Sequence, residues 1–322
     1  VGIYPSYWSN RVFYTGWSFR AIDSAKGRLP SFGSNGSQLP EDYNENGSMW
    51  EHFHRAGLTF RNYGEGFEFP GQLEPNDPPR SGSILQVNHP INQVLWNNTD
   101  WEFPVYNTDI PDIARAEWFI EDLEGNFIKK GKKIPQFINI TLCNDHGAGI
   151  KPDAGYPYQA SYMADNDVAM GRIIEYLSKR PEWKEMAVFV TQDDPGGDDD
   201  HVDRHRSFVL ALGPWTKKGH VSKEHTSITS IIKTIYLIFG LTPNNMFDAV
   251  STDLRDMFTM RPDFSPYVHE VADPRVFVAE KAYDPTDPKV RQRRFMRPPI
   301  ALDDPEWIER MGTEREEDED DD

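Results

Sequence analysis

Two apolar runs that empty into polar, glycine-containing loops constrain this chain more than any other feature. Met186-Ala187-Val188-Phe189-Val190-Thr191 opens into Gln192-Asp193-Asp194-Pro195-Gly196-Gly197-Asp198-Asp199-Asp200-His201, and Ile134 to Leu142 ends in Asn144-Asp145-His146-Gly147-Ala148-Gly149. A short continuous apolar run is the pattern of a strand buried on both faces of a parallel sheet. Helical patterns alternate with these runs. Asp109 is expected to cap, and Pro111 to open, a helix reaching about Leu123. Ala164 to Lys179 puts Val168, Met170, Ile173, Ile174 and Leu177 on one apolar face, and Thr226 to Phe239 reads as a helix stopped by Gly240. Earlier, Ser48 to Ala56 reads as a short helix and Leu58 to Tyr63 as a strand, and Ser207 to Leu212 reads as a further strand. The alternation predicts an α/β fold: a mostly parallel sheet flanked by helices on both faces.

The flanks are different in kind. Val1 to about Asn46 is aromatic, rich in Gly, Pro and Ser, and aperiodic, which predicts irregular structure. Residues 66–106 read as a long excursion. We expect one domain over residues 1–261, a Pro- and charge-rich wrap of the same domain over 262–313, and a disordered acidic tail over 314–322. Val1 follows neither an initiator Met nor a basic or apolar leader, so the sequence reads as the interior or processed form of a longer product.

Charge and cysteine content remove whole classes of function. The net charge is −18, and the tail from Glu314 carries eight acids with Arg315, which leaves −11 for the rest. So acidic a body lacks the basic footprint that nucleic-acid binding needs. The most apolar stretch, Ile228 to Leu241, is interrupted by Lys233 and Thr234, so no membrane span is expected. A single cysteine, Cys143, excludes an internal disulfide and a cysteine-based zinc site; it reads as a buried, inert thiol.

In open α/β sheets, ligands sit beyond the carboxyl ends of the strands. Both loops there carry ligand-type side chains: Asp145 and His146 in one, Asp193, Asp194, His201 and, four residues on, His205 in the other. Carboxylates with imidazole suit a divalent ion such as Zn, Mn, Fe or Ca. Adjacent carboxylates repel unless a cation or a shared proton compensates, so Asp193-Asp194 invites a metal. Plainer readings hold elsewhere. Asp198 to Asp200 by themselves are a solvated turn. His52 and His54, two apart on a helix, do not share a face. His220 and His225 read as structural or exposed, and Lys289 to Arg297 as an outer strap.

Several of these segments, in this order, resemble one family. Leu142-Cys143-Asn144-Asp145-His146, Ala164-Asp165-Asn166-Asp167 with Met170-Gly171-Arg172-Ile173, Phe189-Val190-Thr191-Gln192-Asp193-Asp194, and Asp200-His201-Val202-Asp203-Arg204-His205-Arg206-Ser207 are similar to the bacterial phosphoesterase family. That family includes phospholipases C and acid phosphatases within the alkaline phosphatase superfamily; the chain also resembles the phosphoesterase half of proteins that carry a β-propeller. Arg61-Asn62-Tyr63-Gly64-Glu65, Arg115-Ala116-Glu117-Trp118-Phe119 and Gly240-Leu241-Thr242-Pro243-Asn244-Asn245 add to the resemblance, which covers most of 45–260.

The resemblance implies metal-dependent hydrolysis of a phosphate ester. Asp193 and Asp194 match the paired metal-binding aspartates. His146 matches a histidine facing the phosphate, as ligand or proton donor, with Asp145 beside it, and His201 and His205 line the same pocket. A Ser or Thr nucleophile then forms a phospho-enzyme. The family's Glu-Asn-Arg triplet and nucleophile fall ahead of Val1, so the site is expected to be incomplete in this chain. An upstream polypeptide or β-propeller domain is the implied partner, and an extracytoplasmic location, periplasmic or secreted, is implied by exported relatives. The alternative is a non-catalytic scaffold that keeps the fold; a sulfatase or phosphomutase relative fits the Asp-His-Val…His-Arg element less well.

Overall fold

The computed structural model describes residues 49–64, 67–68, 86–87, 94, 97–100, 103–104, 108–192, 207–244 and 246–286. In chain order its principal elements are α1 (Met49–Arg55), β1 (Phe60–Tyr63), β2 (Phe67–Glu68), β3 (Gln86–Val87), α2 (Asp112–Asp122), β4 (Phe137–Ile140), α3 (Ala160–Ser178), β5 (Val188–Thr191), β6 (Val209–Leu212), α4 (Ile228–Phe239), α5 (Met246–Val250) and α6 (Ala279–Ala282). They are helices with small sheets, a mixed α/β arrangement. The described residues of Leu58–Arg180 and Pro266–Asp322 form one compact unit, and those of Val1–Gly57 and Pro181–Ser265 form another.

In the first of these units, β1 and β4 pair in parallel, Phe60 opposite Phe137 and Tyr63 opposite Ile140. Asn62 extends the pairing by a parallel bridge to Thr99. Among the described residues, parallel pairing is confined to these segments. The pair carries a polar rung: Asn139 Nδ2 donates to Asn62 Oδ1 at 3.3 Å, and Asn62 Nδ2 to Thr99 Oγ1 at 3.1 Å, so the fully buried Asn62 amide is satisfied. Phe60 and Tyr63 are buried, with Tyr63 edge-on to Phe103 and Phe119 at 5.5 and 5.1 Å. At the exit, Gly64 has φ +88°, and a Cβ there would stand 3.0 Å from the Phe103 ring, so glycine suits both the turn and the packing.

Helix α2 packs against α3. The apolar face expected for α3 is buried at Val168, Ile173, Ile174 and Leu177, while Met170 is half-buried. The start of α2 departs from expectation. Asp109 does not cap it; the Asp109 carboxylate pairs with Lys151. Asp165 of α3 caps it instead, accepting the Asp112 and Ile113 N–H groups at 2.9 and 3.0 Å. A cap delivered from another helix leaves no local sequence signal. The end of α2 also differs, continuing through a π turn at Leu123–Phe127 and a 3₁₀ turn at Ile128–Lys130. Asp122 at that junction is held by Arg61 (2.8 and 3.1 Å) and by the Tyr63 hydroxyl (2.7 Å), while Glu124 accepts from Tyr176 and Arg180 of the α3 side. The wide turn lets neighbouring acids face different partners.

Residues 266–283 lie along α3. Tyr267 N–H donates to Ser178 Oγ, His269 N–H to Glu175 Oε2, and Val278 N–H to Gly155 O at 3.1 Å. Gly155 has φ +88°, and a Cβ there would stand 2.5 Å from the Val278 carbonyl oxygen.

In the other unit, β5 and β6 pair antiparallel, Val188 opposite Leu212 and Thr191 opposite Val209. This corrects the reading of Met186 to Thr191 as a strand of a parallel sheet buried on both faces; β5 is half-buried, with Thr191 exposed. Four residues do not specify the direction of their partner. Helix α4 starts at Ser227, whose side chain and that of Ser230 form a capping box, and stops at Gly240 with φ 68°. Phe53 of α1 packs edge-on against Tyr236 and Phe239. No helix among the described residues is long and apolar enough to cross a membrane.

Candidate functional site

Strand β4 runs out through Thr141, whose N–H donates to Tyr63 O at 3.0 Å, and reaches a 3₁₀ turn at Asn144–His146. Gly147 follows with φ 74°, a left-handed conformation that a side chain would strain. On this turn Asp145 is half-buried and His146 is exposed. The turn places a carboxylate and an imidazole side by side at the carboxyl end of a parallel pair, where α/β folds present their chemistry.

Behind the turn is a buried polar cluster. The Asp112 carboxylate accepts the Cys143 N–H (3.2 Å) and an Arg115 N–H (2.8 Å) on Oδ1, and the Asn144 N–H (2.8 Å) and Asn166 Nδ2 (2.9 Å) on Oδ2. Asp165 accepts Asn144 Nδ2 at 2.6 Å and the Tyr156 hydroxyl at 2.8 Å besides the two α2 amides. Asp112, Asn144 and Asp165 are fully buried, and Arg115 is 1% exposed. Two carboxylates thus share the neighbourhood of one guanidinium. Burial, and then the charge of Asp112, push Asp165 up to about 6, although the donors aimed at it oppose the shift. The Tyr156 hydroxyl, buried beside Asp165, is raised far above the ordinary tyrosine range.

Of the residues expected to act, Asp145 and His146 fall on one turn. Asp193, Asp194, His201 and His205 lie outside the described residues. Among the described residues no group of three or more His, Cys, Asp or Glu side chains is placed to hold a metal ion. Cys143 is buried, 5% exposed, as expected. His220 is paired with Asp256 at 3.2 Å, and His52 Nε2 meets the Thr242 carbonyl at 2.8 Å. Both are structural contacts. Sequence reasoning missed Asp112, which reads only as the start of a helix after Pro111. Asp165 and Asn166 lie inside Ala164-Asp165-Asn166-Asp167, and that motif is the signal available for them.

The profile of the Phosphoesterase family matches residues 8–242. The chain belongs to that family. The match spans the Asp145-His146 turn and residues 193–205 alike, and it points to hydrolysis of phosphate esters as the chemistry of this phosphoesterase chain. Among curated proteins, no match to it was found. A separate cleft of about 250 Å³ in the unit containing α4 is lined by His225, Ser227, Thr229, Ser230, Ser251 and neighbours. It sits over the capping box of α4, and its Thr229 and Ser251 hydroxyls bond each other at 2.6 Å.

Proposed function

We propose that this chain is part of an enzyme that hydrolyses phosphate esters with the help of a divalent metal ion bound by Asp193 and Asp194. His146, with Asp145 beside it, faces the phosphate, and His201 and His205 line the same pocket. The observation that carries this reading is the Asp145-His146 turn, fixed at the carboxyl end of β4 in a chain of the Phosphoesterase family. Asp145 and His146 offer an oxygen and a nitrogen donor of the kind divalent ions accept, and Asp193 with Asp194 supplies the charge that Asp145 alone lacks. A bound divalent ion would offset charge on the phosphoryl oxygens and acidify the attacking hydroxyl.

Side chains of the complete gene product would do the rest. A Ser or Thr hydroxyl releases its proton to solvent and its oxygen attacks phosphorus as the bond to the ester oxygen breaks. His146 passes a proton to that departing oxygen and so releases an alcohol. Water then cleaves the phospho-enzyme, returning the hydroxyl and freeing phosphate. By resemblance the proposal extends to an exported protein whose partner is an upstream polypeptide or β-propeller domain.

The test is hydrolysis of an aryl phosphomonoester and an aryl phosphodiester, each with Zn, Mn, Fe or Ca added. Both the 322-residue chain and the complete gene product would be assayed. Little or no turnover by the 322-residue chain, and metal-dependent turnover by the complete gene product that Asp193→Ala or Asp194→Ala lowers by roughly a thousandfold or more, is the expected result. Metal binding measured by calorimetry should fall in the same variants. No turnover in either form, with either ester and any of the metals, would refute the reading and favour the scaffold.

A further inference from the structure

We propose that the buried pair Asp112 and Asp165 is a positioning device that sets the stance of the Asp145-His146 turn from behind. This rests on the reading that the turn faces phosphate, and it adds residues that never touch substrate.

Three points fix the turn. Asp112 takes the N–H groups of two consecutive residues, Cys143 and Asn144, and Asp165 takes the side-chain amide of Asn144. Two peptide planes and one side chain, held to two carboxylates, leave the segment no hinge immediately before Asp145. The carboxylates are themselves anchored. Asp165 grips the first two N–H groups of α2, on which Asp112 is the first residue, so each acid is held by the element that carries the other. Arg115 ties Asp112 to the Ile110 carbonyl at 2.7 Å, and Asn166 bonds it from α3.

Water is kept out on the far side. Tyr156, the fourth donor to Asp165, stacks on Tyr162 at 4.3 Å and meets Phe277 at 5.3 Å. Phe277 is 2% exposed, and the segment carrying it is pinned by Ser161 Oγ to Val276 O at 2.6 Å. In a dry site each of these bonds holds its angle more firmly than in water. A junction needing only adhesion would be better served by apolar packing, because two buried acids near one guanidinium carry a desolvation cost. What the acids add is direction: they fix which way the next two side chains point.

The experiment compares wild type, Asp165→Asn, Tyr156→Phe and the exchange Asn144→Asp with Asp165→Asn, all in the full chain. The readouts are amide hydrogen exchange at Cys143 and Asn144, and the ring resonances of labelled His146. Asp165→Asn should speed exchange at the two amides by roughly tenfold or more and shift the His146 signals, with the β1–β4 amides unchanged. Tyr156→Phe keeps the ring and loses one bond, so it should move both readouts the same way by less, and it serves if Asp165→Asn does not fold. The exchange variant rebuilds a hydrogen bond between positions 144 and 165 and should restore part of both. Unchanged His146 signals and local exchange in a folded Asp165→Asn protein would overturn the proposal. So would loosening spread evenly over the unit without rescue by the exchange. If both readouts respond while wild type hydrolyses no phosphate ester, the positioning role stands and the phosphoesterase reading falls.

Discussion

Replacing Asp165 with asparagine should change stability by an amount that depends on pH, because that carboxylate is pulled in two directions. The Asp112 and Ile113 amides, Asn144 Nδ2 and the Tyr156 hydroxyl all favour its ionised form. Complete burial and the neighbouring Asp112 favour the protonated form, and they win, lifting Asp165 from 3.8 to about 6. The folded state therefore holds a proton that the unfolded chain has already released. The stability this contributes is fully present below the unfolded value and is lost as pH rises through the folded one. A rise of that size corresponds to about 3 kcal/mol. The asparagine side chain imitates the protonated acid at every pH, at the expense of an N–H directed into a site full of donors, a constant penalty of about 1–2 kcal/mol. Relative to wild type, the variant should thus be destabilised near pH 4 and gain about 2–3 kcal/mol by about pH 8. Urea denaturation of both proteins at half-unit steps of pH measures the difference. A difference that stays flat would show that Asp165 titrates as an ordinary aspartate. A slope of opposite sign would show that the four donors prevail over burial, and the electrostatic reasoning would be refuted.

Other expectations follow from single contacts. Gly155→Ala puts a methyl group 2.5 Å from the Val278 carbonyl at φ +88° and should destabilise by about 2–4 kcal/mol, read as a lower melting temperature. Arg61→Lys replaces a two-pronged contact with Asp122 and a bond to Thr99 O by a single ammonium; about 1–2 kcal/mol should be lost in urea denaturation. The Cys143 thiol should react with an aromatic disulfide reagent only as fast as the chain opens, and prompt labelling of the native protein would contradict its burial.

Helices were legible in the sequence where periodicity was long. The apolar face of α3 and the Gly240 stop of α4 lie where the 3.6-residue pattern puts them, because burying one stripe against one neighbour is a local decision. Strand direction was not legible. Val188–Thr191 is too short to show its pairing, yet the absence of a helical pattern before β6 was a clue to antiparallel pairing, since parallel neighbours need a crossover. The Asp145-His146 turn could be found because a strand end followed by Gly limits where such residues can stand. The acids behind it could not. Asp112 and Asp165 are 53 positions apart, and only the packing of α2 on α3 makes them one object.

The parallel pairing of β1 and β4 imposes an order in time. Asn139 bonds Asn62 across 77 positions of chain, which a ribosome adds in roughly 4 to 15 seconds. Through that interval the described partners open to β1 are Thr99, Phe103 and the Phe119 to Asp122 end of α2. Asp165 emerges after the turn it steadies, and Val276, 115 positions beyond Ser161, emerges last. The emerging chain therefore carries Asp112 before the turn that it holds, adds the Asp165 grip afterwards and closes the cluster only once Val276 has followed.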